Sequence, residues 1–213
     1  MNRSTGIFGG TFNPVHRGHV EIGARLRELL GLDRILYVLS ARPPHKRMMR
    51  LAPAEIRWQM LTAALAGAPG LEPCDLELRR EGPSWTLDTV RSLGQAFPDD
   101  RFCFICGSEG FFRLETWRGY RELLAAVPFV VVLRKEGHRE RVARLAGRCG
   151  VSLVETVPPL PSPPAICPLR VPTATLDLSS TEIRKRRKAG EGVEGMVAGD
   201  VQTIMEVSRA YEP

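Results

Sequence analysis

No purely apolar run in this 213-residue chain is longer than the five residues Phe129–Leu133, and residues 1–6 have no leader character. A membrane-spanning helix needs about 20 apolar residues, so neither a span nor a secretory signal is expected, and a cytoplasmic protein is implied. Cysteine is sparse and odd in number (Cys74, Cys103, Cys106, Cys149, Cys167), which without a secretory context implies reduced thiols. Cys103 and Cys106 have the spacing of a redox or zinc half-site, yet they lie inside Arg101–Gly107, which reads as a buried strand. Residues three apart on a strand face opposite sides, so the two cannot hold one metal ion. No second Cys/His pair at zinc spacing accompanies them. Core thiols are expected, and no metal centre.

Positive charge is the one compositional excess, a net +6. Five consecutive cations, Arg184-Lys185-Arg186-Arg187-Lys188, account for most of it, and no aromatic residue interleaves with them. A single-strand binder needs stacking rings among its cations, so no nucleic-acid partner is expected. Arg184 stands as a functional candidate; Lys185–Lys188 read as a solvated helix face.

Along the chain, β-type apolar runs alternate with helical patterns. Strands are expected at Thr5–Phe8, Arg34–Leu39, Leu71–Leu78, Arg101–Cys106, Phe129–Leu133 and Val151–Glu155, with sheet-like pattern resuming around Arg170–Leu178. Helices are expected at Gly18–Leu30, Pro53–Ala66, Thr86–Phe97, Arg118–Ala126 and His138–Arg148. The proline-rich patch Pro158–Pro164 reads as a surface loop. Alternation of this kind implies an α/β fold: a doubly wound, Rossmann-like parallel sheet with helices on both faces. A single domain over 1–213 is expected, closing in a small helical segment from about 179, and a chain this long buries roughly 70% of its unfolded surface.

One segment carries chemistry: Gly9-Gly10-Thr11-Phe12-Asn13-Pro14-Val15-His16-Arg17-Gly18-His19. Its glycines read as a tight strand-to-helix turn, where backbone N–H groups meet phosphate. It has neither the G-x-G-x-x-G spacing of a dinucleotide fold nor the Gly-Lys-Ser/Thr of a Walker loop. No Ser, Cys or Asp beside a base suggests a covalent nucleophile. His16 and His19 are two of only four histidines, three apart at a helix start, hence neighbours on one face. A helix cap explains one such histidine; two flanking a glycine favour chemistry at phosphorus, which needs in-line positioning and positive charge on non-bridging oxygens. In a doubly wound sheet, ligands bind past the strand ends where the order reverses. That rule places Gly9–Thr11 and the glycine turn Gly107-Ser108-Glu109-Gly110 beside one crevice.

The segment resembles the signature of the HxGH nucleotidyltransferase superfamily. Four further segments, in family order, resemble its bacterial nicotinate-nucleotide adenylyltransferases: Ser40–Lys46, Pro83–Thr89, Phe104–Glu109 with Trp117 following, and Leu178–Arg184. Together they span residues 6–184. The resemblance implies transfer of AMP from ATP to nicotinate mononucleotide, giving nicotinate adenine dinucleotide and pyrophosphate, with Mg²⁺ carried on ATP. It implies His16, His19, Lys46 and Arg184 as the catalytic set. Gly9, Gly10, Thr11, Phe12, Gly107, Glu109, Ser179, Ser180, Thr181 and Ile183 would contact ATP. His45, Ser84, Trp85, Thr86, Trp117 and Arg134 would contact the mononucleotide, with Trp117 stacked on the pyridine ring and Thr86 meeting its carboxylate. The family generally carries Tyr where this chain has Trp85, and Asp where it has Glu109.

Plainer readings stand beside these. Ser179-Ser180-Thr181-Glu182 is a capping box, although an exposed helix start with three hydroxyls is also a polyphosphate seat. His45 and Lys46, with Arg42, Arg47 and Arg50, form a basic loop after a stiff Pro43-Pro44 turn. Trp58 reads as core. Competing functions are a sister enzyme acting on nicotinamide mononucleotide or phosphopantetheine, and a non-catalytic nucleotide sensor. Oligomeric state is left open.

Overall fold

The structure, a computed structural model, describes residues 3–44, 51–155 and 160–212. Strands β1 (Ser4–Gly10), β2 (Arg34–Leu39), β3 (Leu71–Cys74), β4 (Arg101–Gly107), β5 (Phe129–Val132), β6 (Ser152–Leu153) and β7 (Ala165–Leu169) form one sheet of order β3-β2-β1-β4-β5-β7-β6. Every described pairing is parallel. The helices are α1 (Arg17–Leu29), α2 (Ala54–Leu65), α3 (Leu76–Arg79), α4 (Thr86–Ala96), α5 (Ser108–Phe111), α6 (Tyr120–Ala126), α7 (His138–Cys149), α8 (Ser180–Lys188) and α9 (Gly199–Val207).

Burial on both faces explains why the strands read as unbroken apolar runs: β2 is buried at every residue, as is β5. Along β4, Cys103 and Ile105 enter one core cluster while Phe104 and Cys106 enter the other. The two cysteines therefore face opposite sides, as expected. On the first face Ile22 and Leu26 of α1, Met60 and Leu61 of α2, and Val201 and Met205 of α9 close the core. On the second, Leu87 and Leu93 of α4, Leu123 of α6 and Leu145 of α7 do so. The doubly wound reading is correct, and β1 and β4, which lie side by side, are the strands between which the order reverses.

Three expectations need correction. The run Leu71–Leu78 is not one strand: β3 stops at Cys74 and Leu76 begins the short α3, with Asp75 as its N-cap. The last pairing is at Ala165–Leu169, earlier than Arg170–Leu178, and it inserts between β5 and β6. The proline-rich patch is not all surface: Leu160 is buried in the core, and its carbonyl accepts from Arg101 at 2.8 Å. At the amino ends of the strands, the buried Arg34 binds Asp100 at 2.9 Å and Thr5 at 3.2 Å, closing that edge. No described helix is long and apolar enough to cross a membrane.

Candidate active site

Gly9 and Gly10 do not open the turn as expected; they end β1, still paired with Val38 and Leu39. The turn comes after them, and Phe12 takes a left-handed φ of 43° there. A Cβ on Gly10 would lie 2.9 Å from the Phe12 ring, so glycine leaves the room that the turn requires. His16 then caps α1, its backbone N–H donating to His19 Nδ1 at 3.2 Å. The two imidazoles stack with centroids 3.7 Å apart. Between them, Gly18 meets the crossing chain: a Cβ there would stand 2.7 Å from the Thr175 carbonyl and 3.0 Å from His16 Nδ1. The glycine of the histidine pair is thus fixed by close backbone approach.

Around these rings lies a polar cavity of about 310 Å³. It gathers Gly9, Gly10, Thr11 and Phe12 from the β1 end, His16 and His19 from α1, Glu109 from α5, Arg134 after β5, and Ser179, Ser180, Thr181 and Arg184 from the start of α8. The Arg184 guanidinium donates to the Asn13 carbonyl at 2.8 Å and to Thr181 Oγ1 at 3.2 Å, and the Ser180 hydroxyl donates to the Pro14 carbonyl at 2.8 Å. Ser179 caps α8, accepting from the Glu182 N–H at 3.2 Å. The reciprocal half of the capping box is replaced by a Glu182–Arg186 ion pair at 3.1 Å. Arg187 is not solvated as expected; it pairs with Glu212 at 3.0 Å and is largely covered.

His16 is 3% exposed, and burial first, with Arg134 second, lowers its pKa to about 4. It is neutral at pH 7, so the standing positive charge belongs to Arg134 and Arg184. An unfolded chain takes up this proton from about pH 6.5 downward while the folded one resists to about 4. Stability conferred by the neutral ring is therefore present above 6.5 and lost as pH falls, about 2 kcal/mol of it by pH 5. His16→Gln is expected to flatten that slope in urea titrations at pH 7 and pH 5; an unchanged slope would contradict the buried neutral ring.

A second cavity, of about 280 Å³, lies on the other side of the β1 end. Ser84, Trp85, Thr86 and Trp117 line it, together with Gly107 and again Gly9, Gly10 and Thr11. The indole of Trp117 is backed by Phe104 at 5.9 Å and Phe129 at 6.5 Å. Thr86 opens α4 as expected, and the Ser84 hydroxyl accepts from the Arg42 N–H at 3.0 Å. Of the expected glycine turn Gly107–Gly110, Gly107 is the N-cap of α5 and the other three residues lie in that short helix.

Most sequence-predicted residues thus fall into two adjoining cavities. Arg134 lines the histidine cavity and not the tryptophan cavity. Ile183 lines neither; its side chain is fully buried in the core. His45 and Lys46 lie outside the described residues.

Several residues escaped the sequence reading. Arg57, 2% exposed, donates to the carbonyls of Ala52 (2.9 Å), Thr11 (2.9 Å), Ser40 (2.8 Å) and Ala41 (3.0 Å). It ties the loops that follow β1 and β2 to the entry of α2. Asn13 Oδ1 accepts from the Ala52 N–H at 3.0 Å and from the Tyr211 hydroxyl at 2.8 Å. Glu77, buried on the tryptophan-cavity wall, accepts from the Thr89 hydroxyl at 2.5 Å, and Arg80 donates to that same hydroxyl at 3.1 Å. Arg57 had a readable signal: it shares the buried stripe of α2 with Met60, Leu61 and Leu65, where a cation must have partners.

Two cavities joined at the end of β1, one lined by paired imidazoles, arginines and a helix start, define a nucleotidyltransferase. The cytidylyltransferase-like family matches residues 7–186. A protein of Thermus thermophilus named "Probable nicotinate-nucleotide adenylyltransferase" is 38% identical over 97% of this chain and 98% of its own length. One of the same name from Geotalea uraniireducens is 32% identical over 97% of each chain. The fold matches that of a Plasmodium falciparum nicotinic acid mononucleotide adenylyltransferase complexed with NaAD, at a TM-score of 0.75 and 17% identity over 99% of this chain and 98% of the other. The chain belongs to the cytidylyltransferase-like family, within its nicotinate-nucleotide adenylyltransferases.

Proposed function

We propose that this enzyme joins ATP to nicotinate mononucleotide, forming nicotinate adenine dinucleotide and pyrophosphate. The observation that carries this reading is the wall shared by the two cavities, Gly9–Thr11. Two nucleotides held on either side of it bring one phosphate against the other's α-phosphorus. Direct displacement needs no protein nucleophile and no general base, because the attacking phosphate is already anionic; it needs alignment and charge.

The histidine cavity takes the ATP phosphates, with Arg184, Arg134 and the α8 hydroxyls as donors. His19 Nδ1 accepts a backbone N–H, which leaves Nε2–H as a further donor toward the phosphates. Mg²⁺ would be held mainly by the ATP phosphates themselves and would supply charge neutralisation at their oxygens. The cationic lining, with Glu109 its carboxylate, fits an ion that keeps most of its ligands on nucleotide and water. In the tryptophan cavity Trp117 offers a ring for the pyridine, and the N–H groups that open α4 face its carboxylate. Lys46 and His45 complete the phosphate contacts in this reading.

A pyrophosphate-release assay with ATP and either nicotinate or nicotinamide mononucleotide tests the proposal. Fast release is expected with the acid; none would overturn the reaction, and equal rates with the amide would overturn the role of the α4 start. Trp117→Ala is expected to raise the mononucleotide KM about tenfold, the loss of one stacking contact of about 1.4 kcal/mol, with little change in kcat.

A further inference from the structure

The five-cation run that sets the net charge is only partly explained by the active site. Arg186 and Arg187 are held by Glu182 and Glu212. Lys185 and Lys188 are not on that side of α8. They continue the stripe of Thr181 and Arg184, at spacings that put all four on one helix face. This face lines a groove of about 720 Å³, walled opposite by Ile56 and the turn Ser208–Glu212, where Arg209 adds another cation. Glu212 is the carboxylate on that wall, and it is engaged by Arg187. The groove thus holds a positive surplus. It joins the histidine cavity through Thr181 and Arg184, which line both.

We infer that the basic face of α8 and the C-terminal turn form a second seat for inorganic pyrophosphate, reached past Arg184, which takes the leaving group as it departs. The inference rests on the adenylyl-transfer reading for its ligand. A polyanion released in the histidine cavity is drawn toward the positive potential set by Lys185, Lys188 and Arg209 in the adjoining groove. Arg184 would pass it from one cavity to the next without the anion leaving a guanidinium partner.

The test uses the full chain and Lys185→Ala/Lys188→Ala, which leaves Arg184 and Thr181 in place. Product inhibition by pyrophosphate against ATP is measured, with calorimetric titration of magnesium pyrophosphate into the unliganded protein. Removing two exposed ammonium groups in the double variant is expected to raise the pyrophosphate inhibition constant about tenfold, with kcat and the ATP KM within about twofold. Lys185→Arg/Lys188→Arg is expected to keep tight inhibition. An unchanged inhibition constant would overturn the second seat. So would an ATP KM that rises in step, since the lysines would then serve bound ATP. The calorimetric arm needs no turnover, so it tests the groove even if the wild-type protein releases no pyrophosphate, the result that would sink adenylyl transfer itself.

Discussion

His19→Ala is expected to lower kcat by about 10²–10³ while leaving the mononucleotide KM within about twofold. The residue is held at three points, one on its backbone and two on its ring. Tyr37, fully buried, donates to the His19 carbonyl at 2.8 Å; Phe12 meets the imidazole edge-on at 5.2 Å; and the His16 N–H fixes Nδ1. A donor held this way loses no freedom when charge develops on the transferring phosphorus, which is why one such group is worth several kcal/mol in the transition state. His19 lines the phosphate cavity, whereas the pyridine ring is assigned to the other. Steady-state kinetics with both substrates varied will separate the effects. A raised KM at unchanged kcat would make His19 a ground-state contact. His19→Gln, which restores an N–H donor, is expected to recover part of the rate.

Arg57→Met is expected to destabilise the fold by about 3 kcal/mol, a fall in Tm of about 10 °C for a chain of this size. Methionine fills the volume but strands four carbonyls, that of Ala41 buried and the other three part-buried, that now share one guanidinium. Arg57→Lys is expected to rescue little, because an ammonium cannot reproduce the planar fork. Since Thr11 is one of the four acceptors, kcat should fall too, even in the temperature range where the variant is folded. Thermal unfolding beside activity at 20 °C distinguishes this from a purely peripheral arginine, for which both would stay near wild type.

The sheet was legible because burial on both faces leaves short, unbroken apolar runs, a pattern that a half-exposed helix does not produce; β2 is recovered at its expected limits. Legibility failed where a strand is short or at an edge. β7 carries Pro168 and follows a proline-rich patch, a pattern that reads as loop. It is tolerated because β6 pairs only with Ala165 and Ile166, leaving that side of β7 open at Pro168. β3, an edge strand, gives way to α3 at Asp75, whose turn the alternating leucines hide. Within the site, motif residues were found because their types advertise chemistry. Ile183 shares the motif yet turns its side chain into the core, since a motif does not say which way a side chain faces. Asn13 and Tyr211 act through a bond to each other over a separation that no local pattern encodes, whereas Arg57 showed itself only as a cation on the buried stripe of α2.

The Tyr211–Asn13 bond spans 198 positions, from the C-terminal turn back to the first loop. A ribosome delivers Asn13 among the earliest residues and Tyr211 among the last of the described chain. Domains assemble as synthesis proceeds, yet this loop receives its final tether only when translation through residue 211 is done. The loop that carries Asn13 is thus complete only in a chain whose first strand and C-terminal turn are both folded.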